Sequence, residues 1–261
     1  VSTSPDVFYE RLDTGHYRAT EHTVGPWSDK AQHLGPVSAL LVRELERCEP
    51  KSSTAIRRVT VDVLGPVPVD EVEVRTEVLR PGRSVELVAA ELSSGGRTAA
   101  TARAWRMVRS ETAAIAADDA EPLDSPESCA PMPLPDGWTG GYAEALEWRT
   151  ADEAVPGTGH ARVWARPRMP LIGGEDPTAL QRLFAVADCS SGISSRLDFR
   201  EWAFANTDLS VHLHREPVGE WVGLDARTTL GPEGSGVAHS VLHDTAGAVG
   251  HSMQALLLAR R

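Results

Sequence analysis

Two hydrophobic periods take turns along the chain, and their switching points outline its elements. From His16 to Gly25 apolar and polar residues alternate weakly, which predicts a first strand, followed by a loop over Pro26-Trp27-Ser28-Asp29-Lys30. A helix comes next. Pro36 suits its first turn, where a missing N–H costs nothing, and Val37, Leu40, Leu41 and Leu45 make an apolar stripe with Arg43 and Arg47 on the far face. From Ala55 the period becomes two. Val59, Val61 and Val63 alternate with Thr60 and Asp62, then Val72, Val74, Thr76 and Val78 with Glu71, Glu73, Arg75 and Glu77, the pattern of half-buried strands. Pro81-Gly82 turns the chain into a strand from Val85 to Leu92, and Ser93-Ser94-Gly95-Gly96 turns it into another from Thr98 to Val108.

The same order of elements returns later. Between Ser110 and Asp136 lie seven acidic residues, no basic one and five prolines, so this stretch reads as an extended, poorly packed linker. Beyond it, Tyr142 to Trp148 and Gly159 to Arg166 read as strands. Asp176 reads as the cap and Pro177 as the first residue of a helix whose stripe is Leu180, Phe184 and Asp188. Strands follow at Ala205 to His214, Glu220 to Thr229, Ser235 to His243 and Gly247 to Leu258. Letters recur as well: Pro68-Val69-Asp70-Glu71 lies over Pro217-Val218-Gly219-Glu220, Gly82 over Gly231 and Gly96 over Gly247. The expectation is a duplication, with an N-terminal repeat over 1–109, a linker over 110–136 and a C-terminal repeat over 137–261. In this register Gln254 falls on Arg103, and the first helix offers no Asp in the place of Asp188, so one active site per chain is expected.

Charge and composition narrow the partners. The chain of 261 residues is 41% apolar, enough for a sizeable core, and its formal charge of −11 argues against nucleic acid, whose binders carry a clustered basic surface. Cys48, Cys129 and Cys189 are odd in number and form no CxxC, which points to neither a disulfide framework nor a thiolate metal site and fits a reducing cytoplasm. No stretch is long and apolar enough to predict a membrane span, and the beginning of the sequence has no basic-then-apolar leader pattern.

Three polar residues, Asp188, Asn206 and Gln254, sit where the hydrophobic spacing predicts wholly or partly buried positions, and a buried polar group is costly unless it is paired or used. The plainer readings are a carboxylate pairing with Arg182 or Arg196, a turn-forming Asn and an amide that satisfies a strand. By strict alternation Asn206, Asp208, Ser210 and His212 share one face, and Thr207, Leu209, Val211 and Leu213 the other. Asp208 is read as structural, anchoring a turn or Arg215. His212 and His214 have the same-face spacing of a metal clip, but no third ligand is indicated and no metal is expected. GxSxG, P-loop and Rossmann fingerprints are absent, which removes serine-hydrolase and nucleotide-driven chemistry.

Together, Gln32-His33-Leu34-Gly35-Pro36, Val78-Leu79-Arg80-Pro81-Gly82-Arg83, Ala205 to Pro217, Gly219-Glu220-Trp221 and Asp244 to Gln254 resemble the acyl-CoA thioesterase II family and its thioesterase-like actinobacterial relatives, over nearly the whole chain outside the linker. The resemblance implies an α+β double-hotdog fold, two tandem repeats each with an antiparallel sheet wrapped around a central helix. It also implies hydrolysis of fatty acyl-CoA thioesters, hence a role in fatty acid metabolism, without metal or cofactor. The family's water-holding Asp and Gln fall on Asp188 and Gln254. Its hydroxyl residue falls on Asn206, with Thr207 one position on, and either completes the set. At the first helix, His33 and Gly35 are the substrate-binding candidates: in hotdog thioesterases free N–H groups there polarise the thioester carbonyl, while the plainer reading is that Gly35-Pro36 merely starts the helix. A non-catalytic acyl-CoA-binding protein is the alternative, supported by the Asn in place of a hydroxyl. A hotdog hydratase is disfavoured, since no Asp/His pair at that family's spacing lies near the first helix. Exposed sheet edges are compatible with a homo-oligomer.

Overall fold

The computed structural model describes residues 6–134, 140–151 and 157–261, so the linker's end at 135–136 and the repeat boundary at 137 lie outside the described residues. Strands β1 (Tyr9–Asp13) and β2 (His16–Ala19) lead to the small hairpin of β3 (Val24–Gly25) and β4 (Ser28–Gln32). Helix α1 (Leu34–Arg47) is followed by four long strands, β5 (Thr54–Val63), β6 (Glu71–Arg80), β7 (Val85–Ser94) and β8 (Arg97–Val108). After β9 (Ala130–Pro131) come the single-turn helix α2 (Gly141–Glu144), β10 (Leu146–Thr150) and β11 (His160–Pro167). Helix α3 (Ala179–Ala187), the short α4 (Ser190–Ile193), β12 (Trp202–Asn206), β13 (Asp208–Leu213), β14 (Val222–Leu230), β15 (Ser235–Asp244) and β16 (Gly247–Arg260) complete the chain.

Among the described residues fourteen strands form one antiparallel sheet, in the order β1-β2-β6-β7-β8-β5-β13-β16-β15-β14-β11-β10-β9, with β12 also paired to β16. The halves fuse where β5 meets β13, Val59 lying opposite Val211. Helix α1 packs on β5 to β8, α3 on β11 and β14, and the two helices pack on each other. This is the double hotdog that the sequence resemblance implies. Val37, Ala39, Leu40, Leu41, Val42 and Leu45 are all fully buried because α1 is covered by sheet on one side and by α3 on the other. No described helix is long and apolar enough to cross a membrane.

Several local expectations are corrected. Arg43 does not face solvent: it is 2% exposed, and its guanidinium bonds Glu175 at 2.8 and 2.7 Å and the Tyr17 hydroxyl at 2.8 Å, tying α1 to the segment before α3. The cap of α3 is Thr178, whose hydroxyl accepts the Gln181 N–H, so the helix starts two residues beyond Pro177. Tyr142 to Trp148 is not one strand. Gly140 and Gly141 take positive φ values of 83° and 57°, Tyr142 buries its ring from the helical turn of α2, and the strand begins at Leu146. The stretch His16 to Gly25 breaks into a strand, a 3-10 turn and part of a hairpin whose second strand occupies the expected loop.

The acidic linker is also more ordered than its composition suggests. Arg162, Trp164 and Arg149 donate to the carbonyls of Pro122, Asp124 and Pro126, and β9 pairs with β10. Leu123 and Cys129 join Trp164, Trp221 and Ala151 in a small apolar cluster on the outer side of the second half. Only its first part, 110–119, is wholly exposed.

The hairpins set the register between halves. Ser94 faces Arg97 across Gly95-Gly96, Asp244 faces Gly247 across Thr245-Ala246, and each hairpin bulges after its second pair, beyond which Leu92 faces Ala100 and Leu242 faces Gly250. Ala104, not Arg103, therefore occupies the place of Gln254. Matching Gly96 to Gly247 by letter slips the alignment by one residue, because Gly96 is a turn residue and Gly247 begins a strand.

Candidate active site

Asp188, Asn206 and Gln254 converge at the end of α3. Asp188 is one turn beyond Phe184 on the buried stripe and ends the helix as its C-cap, 4% exposed. Gln254 lies on β16 between Ser252 and Leu256, three inward-facing residues exposed by 3% or less. Asn206 reaches the same face through an irregularity that alternation does not anticipate. Asn206 lies opposite Leu256 and Val211 opposite Ser252, so the strand spends five steps where β16 spends four. One extra residue inverts the parity of side chains. Asp208 stabilises this bulge by accepting the Ala255 N–H at 2.8 Å, and the Thr207 N–H donates to the Ala255 carbonyl at 3.0 Å. Asn206 thus shares the interior face with Leu209, Val211 and Gln254. Of the two structural roles expected for Asp208, the pairing with Arg215 is not realised: Arg215 pairs with Asp244.

Asp188 Oδ1 accepts from Asn206 Nδ2 and from Gln254 Nε2, both at 2.8 Å. Gln254 is held in that orientation at both ends: Nε2 also donates to the Asp188 carbonyl at 3.1 Å, while Oε1 accepts the Ser191 N–H at 3.2 Å. Burial disfavours the carboxylate more than the two amides favour it, and the Asp188 pKa is pushed up to about 7. Among the described residues no arginine contacts Asp188, and Arg196 donates to the Thr228 carbonyl, so the plain ion-pair reading is not realised. Thr207 lines the adjoining cavity, but its side chain makes no hydrogen bond to Asp188 among the described residues.

His33 completes the cluster from the other repeat. Its Nδ1 lies 3.2 Å from Asp188 Oδ2 and accepts the Gly35 N–H at 3.0 Å, capping α1. Burial pulls the His33 pKa down to about 3, so the imidazole is neutral and the contact is not an ion pair at neutral pH. Its ring stacks on Tyr142 at a centroid distance of 4.0 Å, and the Tyr142 hydroxyl bonds the Ala185 carbonyl and Cys189 Sγ. Gly35 serves close approach: a Cβ there would stand 2.6 Å from the Ala185 carbonyl oxygen and 2.7 Å from the Tyr142 hydroxyl. The Asp/His pair missing from the local sequence near the first helix is therefore assembled from residues 155 positions apart. Tyr142 and Ser191 also position the cluster; sequence reasoning missed both, because Tyr142 lies in a stretch read as a strand and Ser191 acts through its backbone N–H.

These groups open on a cavity of about 1340 Å³. Its wall is largely apolar, with Val24, Trp27, Leu64, Val67, Met169 and Phe204 among the lining residues. Trp27 and Phe204 meet edge to face at 5.0 Å, and the Arg261 guanidinium lies 5.1 Å from the centre of the Trp27 ring. Lys30 and Arg261 are the permanent cations among its described lining residues. Of the possible metal clip, His214 bonds the Ala248 carbonyl at 3.0 Å while His212 is exposed.

Known proteins share this fold. Solved structures with the same fold include a Thermobifida fusca protein provisionally designated thioesterase II, 18% identical with a TM-score of 0.77 over 100% of this chain and 99% of that one. A provisionally designated thioesterase of Novosphingobium aromaticivorans is 20% identical with a TM-score of 0.73, covering 98% and 99%. The acyl-CoA thioesterase II of Mycobacterium marinum is 17% identical with a TM-score of 0.71, covering 97% and 96%. No curated protein gives a significant sequence match. The family model of the acyl-CoA thioesterase N-terminal domain matches residues 23–107, and that of the C-terminal domain matches residues 126–258. The chain belongs to the acyl-CoA thioesterase family and is a thioesterase.

Proposed function

We propose that this thioesterase hydrolyses fatty acyl-CoA to the free acid and CoA, in the cytoplasm, at one site per chain built from Asp188, Gln254 and Asn206 under the start of α1. The observation that carries the reading is the buried carboxyl of Asp188, fixed by two amides through one oxygen and facing an apolar cavity with the other groups of the site. Its Oδ1 accepts two hydrogen bonds and is filled, so a water meets the carboxyl on the Oδ2 side, where Asp188 acts as base or orienter. The amino end of α1 at His33 and Gly35 supports the developing oxyanion through its positive dipole. Ala104 in the place of Gln254 argues against a second equivalent site. The acyl chain occupies the apolar wall, and Lys30 and Arg261 meet CoA phosphates by charge.

Thiol release from acyl-CoAs of graded chain length tests this reading. Turnover with a preference among chain lengths supports hydrolysis, and tight binding without release supports the non-catalytic alternative. Because Asp188 and His33 are in contact, an enoyl-CoA belongs in the series: loss of enoyl absorbance without thiol release would favour a hydratase.

A further inference from the structure

Four buried hydroxyls join the turn after Asp188 to β14 and β15: Ser190, Ser194, Thr228 and Ser240, each exposed by 3% or less. A hydroxyl has one hydrogen to give, so the directions of their bonds are fixed. Ser190 Oγ donates to the Ala187 carbonyl at 2.9 Å and therefore accepts from Ser240 Oγ at 2.8 Å. Ser194 Oγ donates to the Ser190 carbonyl at 2.7 Å and therefore accepts from Thr228 Oγ1 at 2.7 Å. Each of the four hydrogens has its own acceptor, the condition under which a buried polar network stiffens its surroundings.

Two peptide units connect these hydroxyls to the site. The Ala187 carbonyl belongs to the peptide that leads into Asp188, and the Ser190 hydroxyl holds it. The peptide between Ser190 and Ser191 is held at its carbonyl by both the hydroxyl and the N–H of Ser194, and its own N–H donates to Gln254 Oε1 at 3.2 Å. That donor decides which end of the Gln254 amide faces Asp188. With Oε1 engaged, Nε2 is the end that reaches Asp188 Oδ1 at 2.8 Å and the Asp188 carbonyl at 3.1 Å; a turned amide would set its oxygen against both.

We propose that Ser190 is a positioning residue of the thioesterase site: its hydroxyl fixes the backbone that enters Asp188, and the peptide after it, anchored by Ser194 and Thr228, fixes the Gln254 amide. Ser190 stays out of the chemistry, being fully buried while its neighbours Cys189, Ser191 and Gly192 line the cavity. The simpler account is that Ser190 and Ser194 only bond back to the preceding turn, as such residues do in helices. It covers the Ala187 and Ser190 carbonyls but not the Ser191 N–H that meets Gln254. The inference rests on the hydrolytic reading for its effect on rate; the orientation of Gln254 does not.

Thiol release across pH, acyl-CoA affinity and melting temperature, measured on the native protein, Ser190→Ala and Ser240→Ala, test the assignment. Ser240→Ala removes one hydrogen bond to the same hydroxyl and leaves both peptide units held. Both variants should melt lower, but only Ser190→Ala should lose turnover, by about 10- to 10²-fold with affinity retained. The pH profile supplies a readout that lost stability does not move. The Gln254 hydrogen bond holds the Asp188 pKa down, so an amide released from its orientation should shift the rising limb of the rate to higher pH in Ser190→Ala and not in Ser240→Ala. The other titratable groups around Asp188 are His33, kept neutral by burial, and Tyr142 and Cys189, both raised by burial; among the described residues none bonds to these hydroxyls. Native turnover and an unshifted limb in folded Ser190→Ala would overturn the positioning role and leave hydrolysis standing. Where that variant does not fold, the same result in Ser194→Ala, which loosens the carbonyl of the second peptide, would overturn it. Equal losses of turnover in Ser190→Ala and Ser240→Ala, with the limb unmoved in both, would reduce Ser190 to a structural residue. A native protein that releases no thiol would overturn the hydrolytic reading, and the effect of Ser190 on rate with it.

Discussion

Replacing Asp188 by Asn should make the protein more stable, and increasingly so as the pH rises. The introduced carboxamide copies the neutral, protonated acid, and its oxygen can accept from Asn206 and Gln254 as Oδ1 does. In the native protein burial raises the folded-state pKa of Asp188 from 3.8 to about 7. A raised pKa means that the folded state binds the proton more tightly than the unfolded chain does. Its stabilising contribution is therefore complete below about pH 4 and lost as the pH passes 7. At about 1.4 kcal/mol per pH unit, the loss amounts to about 4 kcal/mol. The variant has no such proton to lose, and His33 remains neutral in both proteins, so its contribution largely cancels from the difference. Denaturant unfolding of both proteins at fixed pH values should show the stability of Asp188→Asn relative to the native protein climbing by about 4 kcal/mol between about pH 4 and about pH 8. A difference that stays flat would mean that Asp188 is already ionised in the folded protein at acid pH. Loss of stability on substitution at neutral pH would mean that the carboxylate has a favourable cationic partner, and the electrostatic description of the site would fail.

Gly35→Ala would drive a methyl group toward the Ala185 carbonyl and the Tyr142 ring, and this overpacking between α1 and α3 should cost about 1–3 kcal/mol and lower the melting temperature. An unchanged melting point would show that the helices can part freely. Limited proteolysis should cut first within 110–119, around the exposed Ile115, while the docked stretch from Pro122 to Pro131 resists. The nicked halves should co-elute on gel filtration, because β5 pairs with β13 and α1 packs on α3; separation without denaturant would contradict the continuous sheet.

The sequence was most informative where local periodicity governs. The stripe through Leu180, Phe184 and Asp188 and the alternation through Ser252, Gln254 and Leu256 locate the acid and the amide, since both depend on neighbours within one element. Asn206 is singled out by spacing and by resemblance, but strict alternation along its strand puts it on the face opposite Leu209 and Val211, because a one-residue bulge has no period of its own. Arg43 read as a surface cation because its partners Glu175 and Tyr17 are distant in sequence and only packing reveals them. The Arg103 alignment failed by a single residue, since recurring glycines mark turns without fixing where each strand begins. The juxtaposition of His33 with Asp188 was beyond reach for the same reason as Arg43: it follows from how the two helices pack, not from either helix alone.

The central claim is that Asp188 takes part in activating a water against an acyl-CoA thioester. The direct test is thiol release by the native protein and by Asp188→Asn under saturating acyl-CoA at about pH 8, with acyl-CoA affinity and melting temperature measured on the same preparations. The expected outcome is a fall in turnover of at least about 10²-fold, with affinity nearly unchanged and the variant fully folded. Near-native turnover by a folded Asp188→Asn protein would contradict the claim and remove Asp188 from the chemistry.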